Sequence, residues 1–125
     1  AVISDLNKQE VYSLSDWINQ QNGYDLIPEN TISKRPSAEL RHEQYDPFDY
    51  NIVSPIVEDI INNLLDYDDL VSKGYDSGLI LDIMNKIKNS EYKRKQSPPG
   101  IKISKKAFGV GRRYPIINQF KDEND

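Results

Sequence analysis

Apolar residues recur at helical spacing in three separate stretches, and glycine or a proline pair closes the first and the third. No other feature limits the possible folds as sharply. Leu6, Val11, Leu14, Trp17 and Ile18 form the first stripe, the recurrence of a single helix face. With Asp5 or Asn7 as N-cap, the spacing predicts a helix to about Asn22, ended by Asn22-Gly23, with Trp17 in its buried face. Ile56, Ile60, Ile61, Leu64 and Leu65 predict a second helix over about 53–65. Pro55 fits its first turn, where a missing N–H costs nothing. Leu79, Ile80, Ile83, Met84 and Ile87 predict a third, long helix over about 76–95, stopped by Ser97-Pro98-Pro99-Gly100.

The connections read differently. Residues 24–47 carry Pro28, Pro36 and Pro47 and are expected to be extended and mostly looped. Residues 68–74 read as a short helix stopped by Gly74. Residues 1–3 look like the end of a strand, and 101–104 like a short strand. Tyr114, Ile116, Ile117 and Phe120 are the anchors of a polar tail whose last residues, 121–125, are expected to be disordered. About three helices with extended connections do not make an obvious self-sufficient domain. The expectation is an α-rich fragment that clads a sheet lying mostly elsewhere.

Charge is distributed unevenly. Residues 1–85 hold 5 Lys/Arg against 16 Asp/Glu, whereas residues 86–113 hold 10 Lys/Arg against the single acid Glu91. Such a basic block suits a polyanion or an acidic surface. A small nucleic-acid-binding module using 86–113 is therefore the alternative reading of the chain. With no Cys, neither a disulfide framework nor a thiolate metal site is available, which fits a cytoplasmic setting. No apolar run approaches the roughly 18–20 residues of a membrane span. Residues 1–5 carry neither an initiator Met nor a signal peptide, so the sequence is expected to start inside a longer protein or after processing.

Three stretches attract chemical interest. Lys8 sits in the opening turn of the first helix, where free N–H groups and the positive dipole end favour a phosphate. Spacing alone favours a solvated lysine. In Lys34-Arg35-Pro36-Ser37-Ala38-Glu39-Leu40, Pro36 keeps Arg35 extended, and the Ser37 hydroxyl suits a cap or a nucleotide phosphate. In Glu91-Tyr92-Lys93-Arg94-Lys95, an aromatic precedes three consecutive cations at a helix C-terminus, where the dipole alone would favour them. His42 is the only histidine and reads as a surface residue, and Asp66, Asp68 and Asp69 read as a solvated turn rather than a Ca²⁺ loop. Arg112 and Arg113 suit either a phosphate or acids across a dimer.

In this order, these stretches resemble the glutamine-dependent NAD synthetases and their ammonia-using relatives. The likeness rests on a strand end like Ala1-Val2-Ile3-Ser4-Asp5 leading into a helix that bears Lys8, on Lys34 to Leu40, and on Glu91 to Arg94. Gln96-Ser97-Pro98-Pro99-Gly100, Lys105 to Gly109 and Gly111 to Ile116 look like the glutamine-dependent branch. The resemblance implies an α/β adenine-nucleotide-binding fold of the ATP-pyrophosphatase, Rossmann-like type, with residues 1–120 as its C-terminal portion. It further implies a ligase that joins deamido-NAD and ammonia with ATP and Mg²⁺ as substrate complex, working as a homodimer. By the same resemblance, Lys8 and Ser37 would contact ATP, and Tyr92 and Lys93 deamido-NAD. No catalytic residue and no metal ligand is assigned within the chain, and neither cofactor is expected on it alone. The family's Ser-Gly-Gly-x-Asp-Ser phosphate loop is absent, and Gly109-Val110-Gly111 lacks the strand-to-helix setting to replace it. The missing half of the synthetase domain and an amidotransferase domain would be needed as partners. Asn51 and Ser54 stand where the family often has acids.

Overall fold

Asn7 begins the first helix. The structure, a computed structural model, describes residues 1–116. Asn7 Oδ1 accepts the Glu10 N–H, and Glu10 returns a bond to the Asn7 N–H, a reciprocal cap that opens α1 at Lys8–Asn22. Gly23 ends it in the left-handed region at φ 70°, donating to the Asn19 carbonyl. A one-turn helix, α2 (Glu29–Ser33), follows in an otherwise looped stretch.

α3 (Tyr50–Ile61) starts one turn earlier than its apolar stripe suggests, because the Asp49 side chain caps it through the Asn51 N–H. Pro55 therefore lies inside the helix rather than in its first turn. The helix stops at Ile61, and Leu64 turns the chain at φ 59°, leaving its side chain exposed instead of completing the buried stripe. Asp66 and Asp69 cap α4 (Tyr67–Ser72) reciprocally, which gives these acids a structural use within the turn.

Two helices replace the expected third one. α5 (Ser77–Asn89) and α6 (Glu91–Gln96) are separated at Ser90, whose φ −91° and ψ 6° leave the helical region. The Ser90 hydroxyl donates to the Lys86 carbonyl at 2.6 Å, a local bond that competes with helix continuation. The Ile87 carbonyl, which a continuous helix would offer to the Glu91 N–H, instead accepts from the Ser90 N–H at 3.3 Å and from Arg94 Nη2 at 2.6 Å. Ser97, extended at ψ 142° before Pro98, stops α6.

Ile56, Leu70 and Ile80 are fully buried where α3, α4 and α5 meet, with Val53, Ile60, Ile61 and Ile83 around them. α1 lies against α3, joined by Gln9 donating to Asn51 at 2.8 Å, but none of its residues is buried. Trp17 is 56% exposed, not a core residue. Of its stripe, Leu6, Val11 and Ile18 are partly buried, whereas Leu14 and Trp17 remain exposed.

No strand occurs among the described residues, so the expected strands at 1–3 and 101–104 are not formed. At 103 and 104 the reason is specific: these N–H groups bond to the Asp5 carboxylate rather than to another strand. The described residues are thus α-rich as expected, with six helices among them rather than about three. The anchors Ile117 and Phe120 and the tail 121–125 lie outside the described residues. None of the described helices is long and apolar enough to cross a membrane.

Candidate functional site

Lys8 is the first residue of α1, half-buried, with its ammonium 5.4 Å from the Tyr12 ring centroid. The Asn7–Glu10 cap already occupies part of that helix start and places a carboxylate there. A phosphate approaching the helix end would meet Glu10 as well as the dipole, with Lys8 as the cation of the first turn.

Ser37 lies in a loop that folds back on itself. Its hydroxyl donates to the Gln44 carbonyl and accepts the Glu39 N–H at 3.0 Å, while the Asp46 N–H reaches the Pro36 carbonyl at 2.9 Å. The expected cap is therefore a turn cap, with no helix following it. Lys34 pairs with Glu39 on the exposed side of this loop, and Arg35 stacks 4.5 Å from the Tyr45 ring centroid.

α6 divides its residues by direction. Tyr92, Lys93 and Lys95 are exposed, with Lys93 6.0 Å from the Tyr92 ring centroid. Glu91 and Arg94, three apart and so on one face, turn inward as an ion pair at 3.0 Å. His42 is exposed, as expected.

Asp5 is the residue that sequence reasoning undervalued. It caps nothing. Its side chain is 2% exposed and gathers the 101–112 segment. Oδ2 accepts the N–H groups of Ile103 at 2.7 Å and Ser104 at 2.6 Å, and Oδ1 accepts the Phe108 N–H at 2.7 Å and the Ser104 hydroxyl at 3.0 Å. Burial alone would raise the Asp5 pKa, but the bonds from Ser104, Ile103 and Phe108 together outweigh it and lower the pKa to about 2. Arg112 adds its charge at 3.6 Å while donating to the Lys106 carbonyl at 2.8 Å and the Ser104 hydroxyl at 3.0 Å. Burial lowers the Arg112 pKa, against the opposing pull of Asp5, Glu58 and Glu10. Arg112 is thus a partner of an acid in its own chain. Gly111 allows the turn to close: a Cβ there would lie 2.7 Å from the Ala107 nitrogen. No local sequence signal marks Asp5, because its partners are far along the chain.

A cavity of about 380 Å³ opens beside this carboxylate, lined by Asn7, Glu10, Glu58, Asn62, Lys105 and Arg112 among others. A second, of about 350 Å³, lies between α6 and the loop at Phe108 and Gly109. Lys8, Ser37, Tyr92 and Lys93 line neither. Neither cavity therefore gathers the four residues. Among the described residues, no group of three or more His, Cys, Asp or Glu is placed to hold a metal ion.

The basic block is not a continuous cationic face. Arg94 and Arg112 turn inward to Glu91 and Asp5, and Lys86 pairs with Asp82. The nucleic-acid module is accordingly unsupported.

Comparison with known proteins fits this picture. A family model described as NAD synthase matches residues 1–97. A glutamine-dependent NAD(+) synthetase of Thermotoga maritima is 42% identical over 98% of this chain and 22% of its own length. The corresponding protein of Xanthomonas campestris is 36% identical over 98% of this chain and 23% of its own. The chain thus spans less than a quarter of the length of these curated relatives. Among solved structures, the glutamine-dependent NAD+ synthetase of Acinetobacter baumannii in complex with ADP superposes with a TM-score of 0.53 at 29% identity, over 91% of this chain and 20% of that one.

Proposed function

The chain belongs to the NAD synthase family, and from that premise we propose that it works as the C-terminal portion of a glutamine-dependent NAD(+) synthetase. The observation that carries the reading is the match over residues 1–97, which takes in Lys8, Ser37, Tyr92 and Lys93.

In the proposed reaction the nicotinate carboxylate of deamido-NAD attacks the α-phosphorus of ATP. A P–O bond forms as pyrophosphate leaves, giving an adenylate. Ammonia then attacks the activated carbonyl carbon, AMP departs with the C–O bonding pair, and loss of a proton leaves the amide of NAD. Both early reactants are anions, so cations aimed at the phosphates lower the barrier. Lys8 would supply one such charge to ATP, and Ser37 a hydroxyl donor once its bond to the Gln44 carbonyl is exchanged. Tyr92 would offer a ring and Lys93 an ammonium to deamido-NAD; their exposure on α6 supports this.

Mg²⁺ would enter with ATP as the substrate complex, and the resemblance assigns none of its ligands to this chain. The Rossmann-like sheet, the phosphate loop and the glutamine-hydrolysing domain would be supplied by polypeptide beyond these residues. Pairing of two copies and a cytoplasmic setting belong to the same proposal and rest on the resemblance. The test is direct: a full-length enzyme containing this chain, given MgATP, deamido-NAD and ammonia, should release NAD, AMP and pyrophosphate in equal amounts. Release of ADP and phosphate instead would overturn the adenylate route.

A further inference from the structure

α6 is too short to hold its own orientation. Isolated helices below about 12 residues are marginal in water, and α6, at 6 residues, has no side-chain bond at its N-cap. Tertiary ties must set its direction, and they converge on one guanidinium. Arg94 Nε donates to Glu91 Oε2 at 3.0 Å, within α6. Arg94 Nη2 donates to the Ile87 carbonyl at 2.6 Å, reaching back across the break at Ser90 into α5. The Tyr114 ring centroid lies 5.8 Å from the guanidinium carbon, which brings in a third segment.

The pair is deeply placed, with side chains 9% and 3% exposed. A buried ion pair adds little net stability over an apolar pair of similar volume, so stability alone does not account for it. Direction does. Two apolar side chains at 91 and 94 would fill the space without fixing how α6 is rotated about its axis. Tyr92 and Lys93 lie between the two inward residues and face outward, so any rotation of α6 moves them.

We propose that Arg94, seated on Glu91 and the Ile87 carbonyl, is a positioning residue that sets where Tyr92 and Lys93 present themselves to deamido-NAD. This rests on the reading that Lys93 meets that substrate. Arg94 itself touches no substrate and acts through α6.

The test uses the full-length enzyme, comparing Arg94→Lys, Lys93→Met and the double variant by deamido-NAD titration, by KM for each substrate and by thermal unfolding. Arg94→Lys keeps the charge but loses the fork. Since small misplacements of a binding group can cost up to about a hundredfold, Arg94→Lys should raise Kd and KM for deamido-NAD roughly tenfold and leave KM for ATP within about twofold. The double variant should lose less than the sum of the two single variants, because part of the Arg94→Lys loss is already taken by removing the Lys93 ammonium. Unchanged deamido-NAD binding in Arg94→Lys, with only a lower unfolding temperature or active fraction, would overturn the proposal; so would additive losses in the double variant. Should Arg94→Lys fail to fold, Glu91→Gln removes the charge that seats the guanidinium while keeping the side chain's shape, and an unchanged Kd there overturns the proposal equally. If Lys93→Met leaves deamido-NAD binding intact, the reading of Lys93 falls with the proposal, whereas a loss in Lys93→Met beside an unaffected Arg94→Lys sinks the positioning role alone.

Discussion

Asp5 accepts the backbone N–H of Phe108 at 2.7 Å across 103 positions of sequence. That carboxylate is the tie between the start of α1 and the 101–112 segment, so removing it orphans three backbone donors at once. Asp5→Ala should lower the unfolding free energy by about 3 kcal/mol, read by urea denaturation.

The same carboxylate makes stability fall in acid. Its folded pKa of about 2 lies below the unfolded value of about 3.9, so its contribution is whole above about pH 4 and fades as pH falls through 2. Asp59, whose pKa is lowered chiefly by its bond to Lys73, contributes in the same direction. Asp5→Asn should therefore flatten, without abolishing, the decline between pH 4 and 2. An unaltered slope would mean that Asp5 is not the group responsible.

Burial separates Leu70 from Trp17. Leu70 is 0% exposed and Trp17 56%. Leu70→Ala should cost about 2 to 5 kcal/mol by leaving a cavity, and Trp17→Ala no more than about 0.5 kcal/mol in this chain. Thermal melts of the two variants give the comparison.

Lys8→Ala, in the full-length enzyme, should raise KM for ATP roughly tenfold, as loss of one charge-assisted contact to phosphate would. Binding of deamido-NAD should change much less. Unchanged ATP kinetics would return Lys8 to the role of a surface lysine beside Tyr12.

Lys93→Met should weaken deamido-NAD binding about ten- to a hundredfold with little change in thermal stability, because a charge-assisted donor to a ligand contributes about 1.5 to 3 kcal/mol. Lys95→Met is the control, exposed on the same helix but two residues on. Equal and small effects at both positions would make them a solvated face.

What the sequence made legible was local. The ends of α1 followed from Asn7 and Gly23, and the buried positions of α3 and α5 from Ile56, Ile60, Ile80 and Ile83, because caps and periodicity are decided within a few residues. Trp17 was misjudged because periodicity identifies an apolar face but not whether this chain covers it. The break at Ser90 leaves no mark in the pattern, since a single serine mid-helix is common and the bond from Arg94 to the Ile87 carbonyl is invisible to periodicity. The strand expected at 101–104 failed because its N–H groups go to Asp5, a partner that no short window contains. Lys8, Tyr92 and Lys93 were legible as accessible or half-accessible cations and ring, whereas the inward turn of Arg94 and Arg112 depends on tertiary contacts.

The Asp5 tie has a kinetic consequence. α3, α4 and α5 pack against partners nearby in sequence, and such contacts form early. Bringing Asp5 to Ile103 and Phe108 closes a loop of nearly the whole described chain, and its entropy is lost before any bond is gained. The tie is therefore expected to close after the helices have docked. Asp5 substitutions should accelerate unfolding while leaving the refolding rate nearly unchanged, which makes this carboxylate a governor of lifetime rather than of folding speed.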